Sequence, residues 1–392
     1  MKSRAGIVLL LAAGVAVVSA AVAVAATDGS RAQQHATASA AASCKSPHIG
    51  MSAPITGPAG SIGSDQLHWA QYYVATWNKA HPTFHVTLDQ FDDQLDPAKA
   101  ATGAQSFASN SKDLAVIGPA GSQQVIAASP IYKRAGLAFL TGSATRVDLT
   151  DGHLRGFFFR PVPNDSVQGP TDVTYALKHL GVARNDHVML VDDSEAYATG
   201  LRDIMKPKFE AAGVKVDTES IAQTDTDFTA IVNKTANDKV VFLLFQVASQ
   251  AQLFAQQMKE KGRTAIVFGS DGTFDSSKFS VNGSYVSFFA PDVTNVKTSA
   301  RTVNGFYKKF GHSTTPFGAP NYVVAQIEIN AIFKACKDGK VSRAEVRRLL
   351  PKTSLKSTVL GIPVKFSGKG DLVGGKFFIF KIVNGKYVYV GS

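Results

Sequence analysis

Short apolar runs alternate with longer amphipathic stretches from Pro47 onward, and their order predicts an α/β fold. The strands have continuous or alternating apolar residues, whereas the helices repeat apolar residues every three or four positions. Proline opens one helix and Gly118-Pro119 closes a buried strand. This order is typical of a parallel sheet covered by helices. The predicted elements are strand His48–Pro54, helix Asp65–Lys79, strand Phe84–Phe91, helix Pro97–Phe107 and strand Leu114–Ile117.

The same rhythm restarts after residue 186, which predicts a second α/β lobe of similar design. Its elements alternate as strand and helix in the order His187–Val191, Ala196–Ala212, Val214–Ile221, Phe228–Ala236, Val240–Phe245, Ala248–Lys261 and Ala265–Phe268. Three helical segments and a β-rich end follow: Thr298–Phe310, Tyr322–Lys334, Ser342–Leu350, then Val364–Phe366, Phe377–Ile382 and Tyr387–Val390. A length of 392 residues suits two lobes. In parallel sheets ligands bind beyond the carboxyl ends of the strands, so those loops are the candidate site.

The first 26 residues predict an export signal. Lys2 and Arg4 precede an uncharged run, Ile7–Ala26, that ends in small residues, and we expect cleavage after Ala25 or Ala26. A retained membrane anchor is the alternative, because about 20 apolar residues can span a bilayer. Residues 27–43 lack core-forming side chains and predict a flexible tether.

The chain has two cysteines, Cys44 and Cys336. An even count in an exported protein permits one disulfide, which would join the start of the folded body to a late helix. Two free thiols, or a lipid on Cys44, remain alternatives. A polar spacer separates Cys44 from the apolar run, which disfavours lipidation.

Composition and charge exclude several classes of protein. The 45% hydrophobic and 18% charged residues describe a globular chain. The formal charge of +11 is scattered in ones and twos rather than gathered in a stripe, so no nucleic-acid partner is expected.

The sequence lacks the usual catalytic motifs, so we expect no enzyme, no cofactor and no metal. It has no His-Glu-x-x-His, Cys-x-x-Cys or Gly-x-Ser-x-Gly pattern. Gly370–Lys376 matches part of a phosphate loop, but Phe377 replaces the Ser or Thr that would bind magnesium. The acid pairs Asp92-Asp93 and Asp192-Asp193 could serve acid/base catalysis or a metal, but such pairs are more typical of turns and caps at strand ends.

Ser122 is more informative, because it follows Gly118-Pro119-Ala120-Gly121 and precedes the helix-forming run Gln123–Ala128. Its hydroxyl and the neighbouring backbone N–H groups would lie at a helix start, where they could bind a carboxylate or another anion. An ordinary N-cap is the alternative interpretation.

The chain after Cys44 resembles the type I periplasmic binding proteins of the leucine/isoleucine/valine-binding class. The order and spacing of modest motifs carry the resemblance. They are Pro54-Ile-Thr-Gly-Pro58, Asp92-Asp-Gln-Leu-Asp-Pro97, Val116-Ile-Gly-Pro119, Ser129-Pro-Ile-Tyr132, Thr141-Gly-Ser-Ala-Thr145, Arg160-Pro-Val-Pro-Asn-Asp165 with Gln168-Gly169, Thr226-Asp-Phe228, Gly269-Ser-Asp-Gly272 and Gly368-Lys-Gly-Asp-Leu372.

The resemblance implies two Rossmann-like lobes with parallel sheets, joined by three crossovers near Pro163, Pro291 and Gly368, with a ligand enclosed by hinge closure. The N-terminal lobe would comprise residues 44–162 and 292–368, and the C-terminal lobe residues 163–291 and 369–392.

The resemblance also implies roles for five ligand-binding residues. The residue at Ser122 would hold a ligand carboxylate, Ser143 and Thr145 would contact carboxylate and ammonium, Asp271 would neutralise the ammonium, and Tyr197 would close over the ligand. This set matches a zwitterion, since a buried ligand charge without a partner is unfavourable.

Two positions depart from the pattern of the family. Ile62 stands where many members have Tyr, and Gln246-Val247 replaces a common Gly-Tyr pair. These three residues would shape the side-chain end of the pocket.

The resemblance implies an exported receptor, in the periplasm or on the outer face of the cytoplasmic membrane, that delivers an amino acid to the membrane permease of an ABC importer. The alternatives are a receptor for another metabolite, such as an aromatic acid or amide, a sensory ectodomain, and an unrecognised enzyme on this scaffold.

Overall fold

The computed structural model describes residues 42–336 and 338–392. The predicted signal segment 1–26 and all but the last two residues of the predicted tether lie outside this part of the chain. Those two, Ala42–Ser43, form strand β1, so they belong to the folded body rather than to a tether. No helix within the described ranges combines the length and apolar character of a membrane span.

Strands and helices alternate through most of the described chain. The strands are β1 Ala42–Ser43, β2 His48–Ala53, β3 Thr87–Asp92, β4 Asp113–Ile117, β5 Ala138–Leu140, β6 Phe158–Phe159, β7 His187–Asp192, β8 Lys215–Ser220, β9 Asp238–Leu244, β10 Ile266–Gly269, β11 Tyr285–Phe288, β12 Lys340–Val341, β13 Ser354–Leu355, β14 Val364–Lys365, β15 Phe378–Val383 and β16 Lys386–Gly391. The helices are α1 Gly60–Ala80, α2 Pro97–Ser109, α3 Ser122–Arg134, α4 Asp165–His179, α5 Ala196–Ala211, α6 Thr229–Lys234, α7 Ala248–Glu260, α8 Ala300–Phe310, α9 Gly318–Ala335 and α10 Arg343–Leu349.

The first lobe is built on a parallel sheet in the order β3-β2-β4-β5-β6. Its central strands are apolar and buried, as strands covered by helices on both faces must be: Ile49, Met51 and Ala53 have no exposed surface. Helices α1 and α9 pack together beside this sheet. Stacking of Trp69 of α1 on Phe306 of α8, with ring centroids 3.9 Å apart, adds α8 to the same lobe.

The second lobe is built on a seven-stranded sheet in the order β16-β15-β11-β10-β9-β7-β8. Strands β7 to β11 are parallel, as predicted for α/β units. Strand β15 pairs antiparallel with β11, and the last strand, β16, pairs antiparallel with β15. They can do so because the Asn384-Gly385 turn between them has positive φ angles, which suit a tight hairpin.

A buried polar cluster ties two chain segments that pass between the lobes. Arg160 has no exposed surface, and its Nε donates to Oδ1 of Asp371 over 2.6 Å. Asn164 donates to the same oxygen over 3.2 Å, and Thr150 donates to the Asp371 carboxylate as well. Arg160 and Asn164 flank the predicted first crossover, and Asp371 follows the predicted third. The exact lobe boundaries stay a prediction.

Cys44 and Cys336 form a disulfide in the structure, with Cα atoms 5.7 Å apart. The bond lies beside the antiparallel pairing of β1 with β12, and the Cys44 N–H donates to the Gly339 carbonyl over 3.2 Å. The covalent bond and the short ladder together fix the beginning of the folded body to the end of α9.

Candidate functional site

A small cavity lies where loops at the carboxyl ends of both sheets meet. Six of the eight residues predicted to bind or shape a ligand line it: Ile62, Ser122, Ser143, Tyr197, Gln246 and Asp271. The structure does not bring Thr145 and Val247 to its surface. Ser122 and Ser143 belong to the first lobe, whereas Tyr197 and Asp271 belong to the second. The cavity therefore has one wall from each lobe.

The wall from the first lobe presents neutral groups at the start of α3. Helix α3 begins at Ser122, after an extended Gly121. The Ser122 hydroxyl accepts from the Arg146 N–H over 3.3 Å, which leaves its own proton free to donate. With the positive end of the α3 dipole, this hydroxyl favours an anionic group.

Ser143 is held differently from Ser122. Its hydroxyl donates to the Ala120 carbonyl over 2.8 Å and accepts from Nε2 of Gln66 over 2.9 Å. Its backbone N–H donates to the Thr141 hydroxyl over 3.2 Å. Since both protons of Ser143 are already used, it can offer a ligand an acceptor but no further donor.

The wall from the second lobe centres on Asp271, the first residue of a short 3₁₀ turn after β10. Gln168 of α4 donates to Oδ1 of Asp271 over 2.9 Å, and the Tyr197 hydroxyl of α5 donates to the same oxygen. Gln168 also lies 3.1 Å from the Ser287 hydroxyl, which donates to Asp172 over 3.0 Å. Two helices and a strand therefore orient one carboxylate toward the cavity.

Burial sets the charge of this wall. It raises the pKa of Asp271 to about 6, against the hydrogen bonds from Tyr197 and Gln168 that lower it. Burial also raises the pKa of Asp165 to about 8 and that of Asp172 well above its usual value. At pH 7 these pKa values favour the ionised form of Asp271 and the neutral form of Asp165. Within the described residues no Lys, Arg or His forms an ion pair with Asp271.

A hydrogen bond joins the two lobes beside the cavity. Nε2 of Gln123, next to Ser122, donates to Oε1 of Gln246 over 3.2 Å. The Gln246 N–H donates to Oδ2 of Asp193 over 2.9 Å, which fixes the loop. Val247 is buried and immediately precedes α7. The enclosed volume is about 30 Å³, whereas a cavity of about 150 Å³ is needed to hold a benzene ring.

A larger cavity of about 360 Å³ lies elsewhere along the structure, between α1, the loop before α9 and the β15–β16 hairpin. Trp69, Tyr307 and Tyr387 line part of it, and none of the predicted ligand-binding residues does. We place the candidate site in the smaller cavity, because there an ionised acid faces hydroxyl groups at the carboxyl ends of strands.

The sequence analysis missed several residues of the site. Leu95 and Phe317 line the cavity, and Gln168 orients Asp271 from outside it. Leu95 and Gln168 lie in motifs that served only as markers of the resemblance. The position of Leu95 after a strand and that of Gln168 on a helix are the signals that could have identified them. Phe317 lies in a loop between helices with no local signal.

The chain is similar in sequence to a known family of proteins. The sequence profile of the periplasmic binding protein family matches residues 46–386. The Leu/Ile/Val-binding protein BraC3 of Rhizobium johnstonii is 26% identical over 359 residues, which is 87% of this chain and 92% of that relative.

Two solved structures share the fold. The branched-chain amino acid transporter substrate binding protein LivJ of Streptococcus pneumoniae, in complex with isoleucine, has a TM-score of 0.77 and 23% identity and covers 89% of this chain and 100% of its own. A solute binding protein of an ABC transporter from Rhodopseudomonas palustris, in complex with benzoate, has a TM-score of 0.77 and 18% identity, with 88% and 96% covered.

Proposed function

The chain belongs to the periplasmic binding protein family, and we propose that it is an exported receptor that captures an amino acid between its lobes. Two relatives named for Leu, Ile and Val binding match this chain over most of their length, which supports an amino-acid ligand. The receptor would act in the periplasm or on the outer face of the cytoplasmic membrane. It would deliver its ligand to the permease of an ABC importer, and its activity would be reversible binding without catalysis.

The opposed chemistry of the two cavity walls carries the proposal. An amino acid has a carboxylate and an ammonium on one carbon, so its site needs donors at one end and a negative charge at the other. Ser122 and the start of α3 supply donors. Asp271 supplies a buried negative charge without a basic partner among the described residues. A ligand ammonium would neutralise that charge.

The other predicted residues take roles that fit their contacts. Tyr197 lines the cavity and orients Asp271, so it would close the site over the ligand. Ser143 would accept a hydrogen bond from the ligand ammonium, since its own protons are engaged. Thr145 would act from behind the cavity surface, through the backbone carbonyl that accepts from Asp165 over 2.9 Å.

The volume of the cavity indicates how ligand would enter. About 30 Å³ holds only water-sized molecules, so the lobes must separate around an amino acid. Rupture of the Gln123–Gln246 hydrogen bond would accompany that opening. Because Ile62 and Gln246 line the same cavity, they would select the ligand side chain.

An aromatic acid is the second candidate ligand. A structure of the same fold is solved with benzoate, and the residues that shape the side-chain end here depart from the pattern of the amino-acid-binding members. A receptor for such an acid would use Ser122 and the α3 start but would gain nothing from an ionised Asp271.

A thermal-shift panel separates the two candidates. Amino acids, aromatic acids, amides and sugars would each be added to the mature protein, and the melting temperature recorded. A ligand at about 100 times its Kd raises the free energy of unfolding by about 2.7 kcal/mol, which raises the melting temperature by about 4 °C. We expect this shift with amino acids and its loss in Asp271→Ala. Stabilisation only by compounds without an amino group would overturn the amino-acid proposal.

A further inference from the structure

Three side chains with metal-binding atoms meet at the end of the first sheet that is remote from the cavity. His48 begins β2, Asp113 begins β4, and Asp89 lies near the start of β3. One ligand atom from each lies within 4.8 Å of the other two. Among residues 42–336 and 338–392 this is the one group of three or more His, Cys, Asp or Glu side chains with such spacing.

Asp113 is the member of the cluster that lacks a partner. The residue is 1% exposed, and neither carboxylate oxygen has a hydrogen-bond partner among the described residues. A carboxylate buried in this way is unfavourable unless a cation or a proton neutralises it.

The nearest guanidinium, that of Arg343, is fully engaged elsewhere. Its Nε donates to the backbone carbonyl of Asp113 over 2.8 Å rather than to the carboxylate. Its two terminal nitrogens donate to four more backbone carbonyls, at residues 107, 108, 110 and 135. Since an arginine has five N–H donors, none remains for the Asp113 carboxylate.

His48 and Asp89 complete a donor set that opens to solvent. Nδ1 of His48 lies 2.7 Å from Oδ2 of Asp89, and their side chains are 17% and 32% exposed. Asn110 donates to the same Asp89 oxygen over 3.0 Å, which orients the carboxylate. An ion and its water ligands could therefore reach the cluster from the surface while Asp113 binds from the buried side.

We propose that His48, Asp89 and Asp113 form a binding site for a divalent transition-metal ion of the zinc class. One imidazole nitrogen and two carboxylate oxygens are a donor set for such ions, and water would complete the coordination. Donor atoms 2.0–2.2 Å from a tetrahedral ion lie roughly 3.5 Å apart, so shifts of about an ångström would close the observed group around it. Calcium is a poorer match, because it takes 6–8 oxygen ligands.

The position of the site indicates a structural role. The ion would join the amino ends of three adjacent parallel strands in the order β3-β2-β4, whereas the ligand cavity lies beyond their carboxyl ends. It would stabilise the first lobe and leave ligand affinity unchanged. The three ligands lie on separate strands, with His48 and Asp89 41 positions apart, so no short sequence motif reveals them.

Calorimetric titration of the mature protein with ZnCl₂ in a non-chelating buffer at pH 7.5 tests the proposal. We expect one saturable site, reversed by a chelator, and weaker binding of CaCl₂. Asp113→Asn and His48→Phe should each lower the association constant by about a hundredfold or more. His153→Ala is the matched control: His153 pairs with Asp151 on the surface without a third ligand, so its loss should change nothing.

Loss of zinc binding in a variant can be distinguished from misfolding, because each variant would first be checked by circular dichroism and thermal unfolding without metal. Asp113→Asn keeps the shape of the side chain and removes the buried charge, so it should unfold no earlier than the parent. Zinc binding of equal strength in Asp113→Asn or His48→Phe would overturn the site. Absence of saturable zinc binding to the parent protein would overturn it as well, and a proton shared by Asp89 and Asp113 would then account for the cluster.

Discussion

The two walls of the cavity differ in how much of their hydrogen bonding is complete. On the first-lobe wall, both protons of Ser143 are already engaged, whereas the Ser122 hydroxyl keeps a free proton. On the second-lobe wall, Asp271 is buried with a negative charge and receives neutral hydrogen bonds from Tyr197 and Gln168. The first wall is stable without a ligand, whereas the second wall has a charge that a ligand cation would neutralise.

This difference assigns separate tasks to the lobes. A neutral wall of hydroxyls and a helix start can bind a carboxylate while the lobes are apart, because its geometry is set within one lobe. The acid on the other wall gains a partner only when the lobes close. We therefore expect the first lobe to govern capture and the second to govern closure.

The largest effect should come from removing the charge on the second wall. Asp271→Asn would leave the ligand ammonium buried without a counter-ion, so amino-acid affinity should fall about 100- to 1,000-fold. Isothermal titration calorimetry would measure this loss of affinity. Asp172→Asn is the control, since Asp172 contacts Ser287 and not the cavity; its affinity should stay within about threefold. Equal losses in both variants would mean that the network matters and the charge does not.

Lowering the pH should weaken amino-acid binding through the same wall, but more gradually than the substitution does. Burial raises the pKa of Asp271 to about 6 in the free protein, and a bound ammonium would lower it, so binding would release a proton below pH 6. Affinity should be constant above pH 6 and fall about tenfold per unit as the pH drops further. The neighbouring Asp165 is already protonated there, since its pKa is about 8.

The control for this pH dependence is Asp271→Asn, whose weak residual affinity should be flat between pH 5 and 7. Titrations at each pH would be accompanied by circular dichroism to confirm that the protein stays folded. An unchanged affinity at pH 5 would contradict the assignment of Asp271 as the ammonium partner.

A smaller loss is expected from the neutral wall. Ser122→Ala removes one hydroxyl donor but keeps the backbone N–H groups of α3, so affinity should fall about tenfold. Ser129→Ala is the matched control on the same helix, because that buried hydroxyl donates to the Ile126 carbonyl and lies away from the cavity. If capture belongs to this wall, stopped-flow mixing should show a larger change in the association rate for Ser122→Ala than for Asp271→Asn.

The smallest effect should come from the side-chain end, where the walls touch. Gln123→Ala removes the hydrogen bond to Gln246, which lines the cavity, and leaves Gln246 space to move. Affinities for amino acids with large side chains should rise about three- to tenfold relative to those with small ones. Gln250→Ala is the control, since Gln250 of α7 bonds only to the backbone at residues 222 and 225. A uniform change across all side-chain sizes would indicate altered closure rather than selectivity.

Much of the fold could be predicted from the sequence, because long periodic elements such as α1, α7 and β7 carry strong patterns. The missed elements lack such patterns: β5, β6 and β11 have only three, two and four residues. Helix α4 was missed; Pro170 lies inside it and argues against a helix, although α5 was predicted with Pro207 inside it. In the structure α4 packs against α5.

The residues predicted for the charged end of the site have a clearer local sequence signal than the rest. Ser122 and Asp271 stand in Gly-rich turns directly after strands, and strand ends converge in a parallel sheet. The Gln123–Gln246 contact spans 123 positions and depends on how the lobes meet, so no local pattern could reveal it. Thr145 differs from these residues: its motif position predicted a ligand contact, and its side chain does not line the cavity.

The disulfide makes most of the folded chain a closed loop, because Cys44 and Cys336 are 292 positions apart. A protease that cuts once at an exposed turn within this loop would leave both fragments joined through the two sulfur atoms. Only reduction, or a second cut, would release a piece. A single cleavage would therefore release no fragment on a non-reducing gel. Both lobes would remain covalently joined after it.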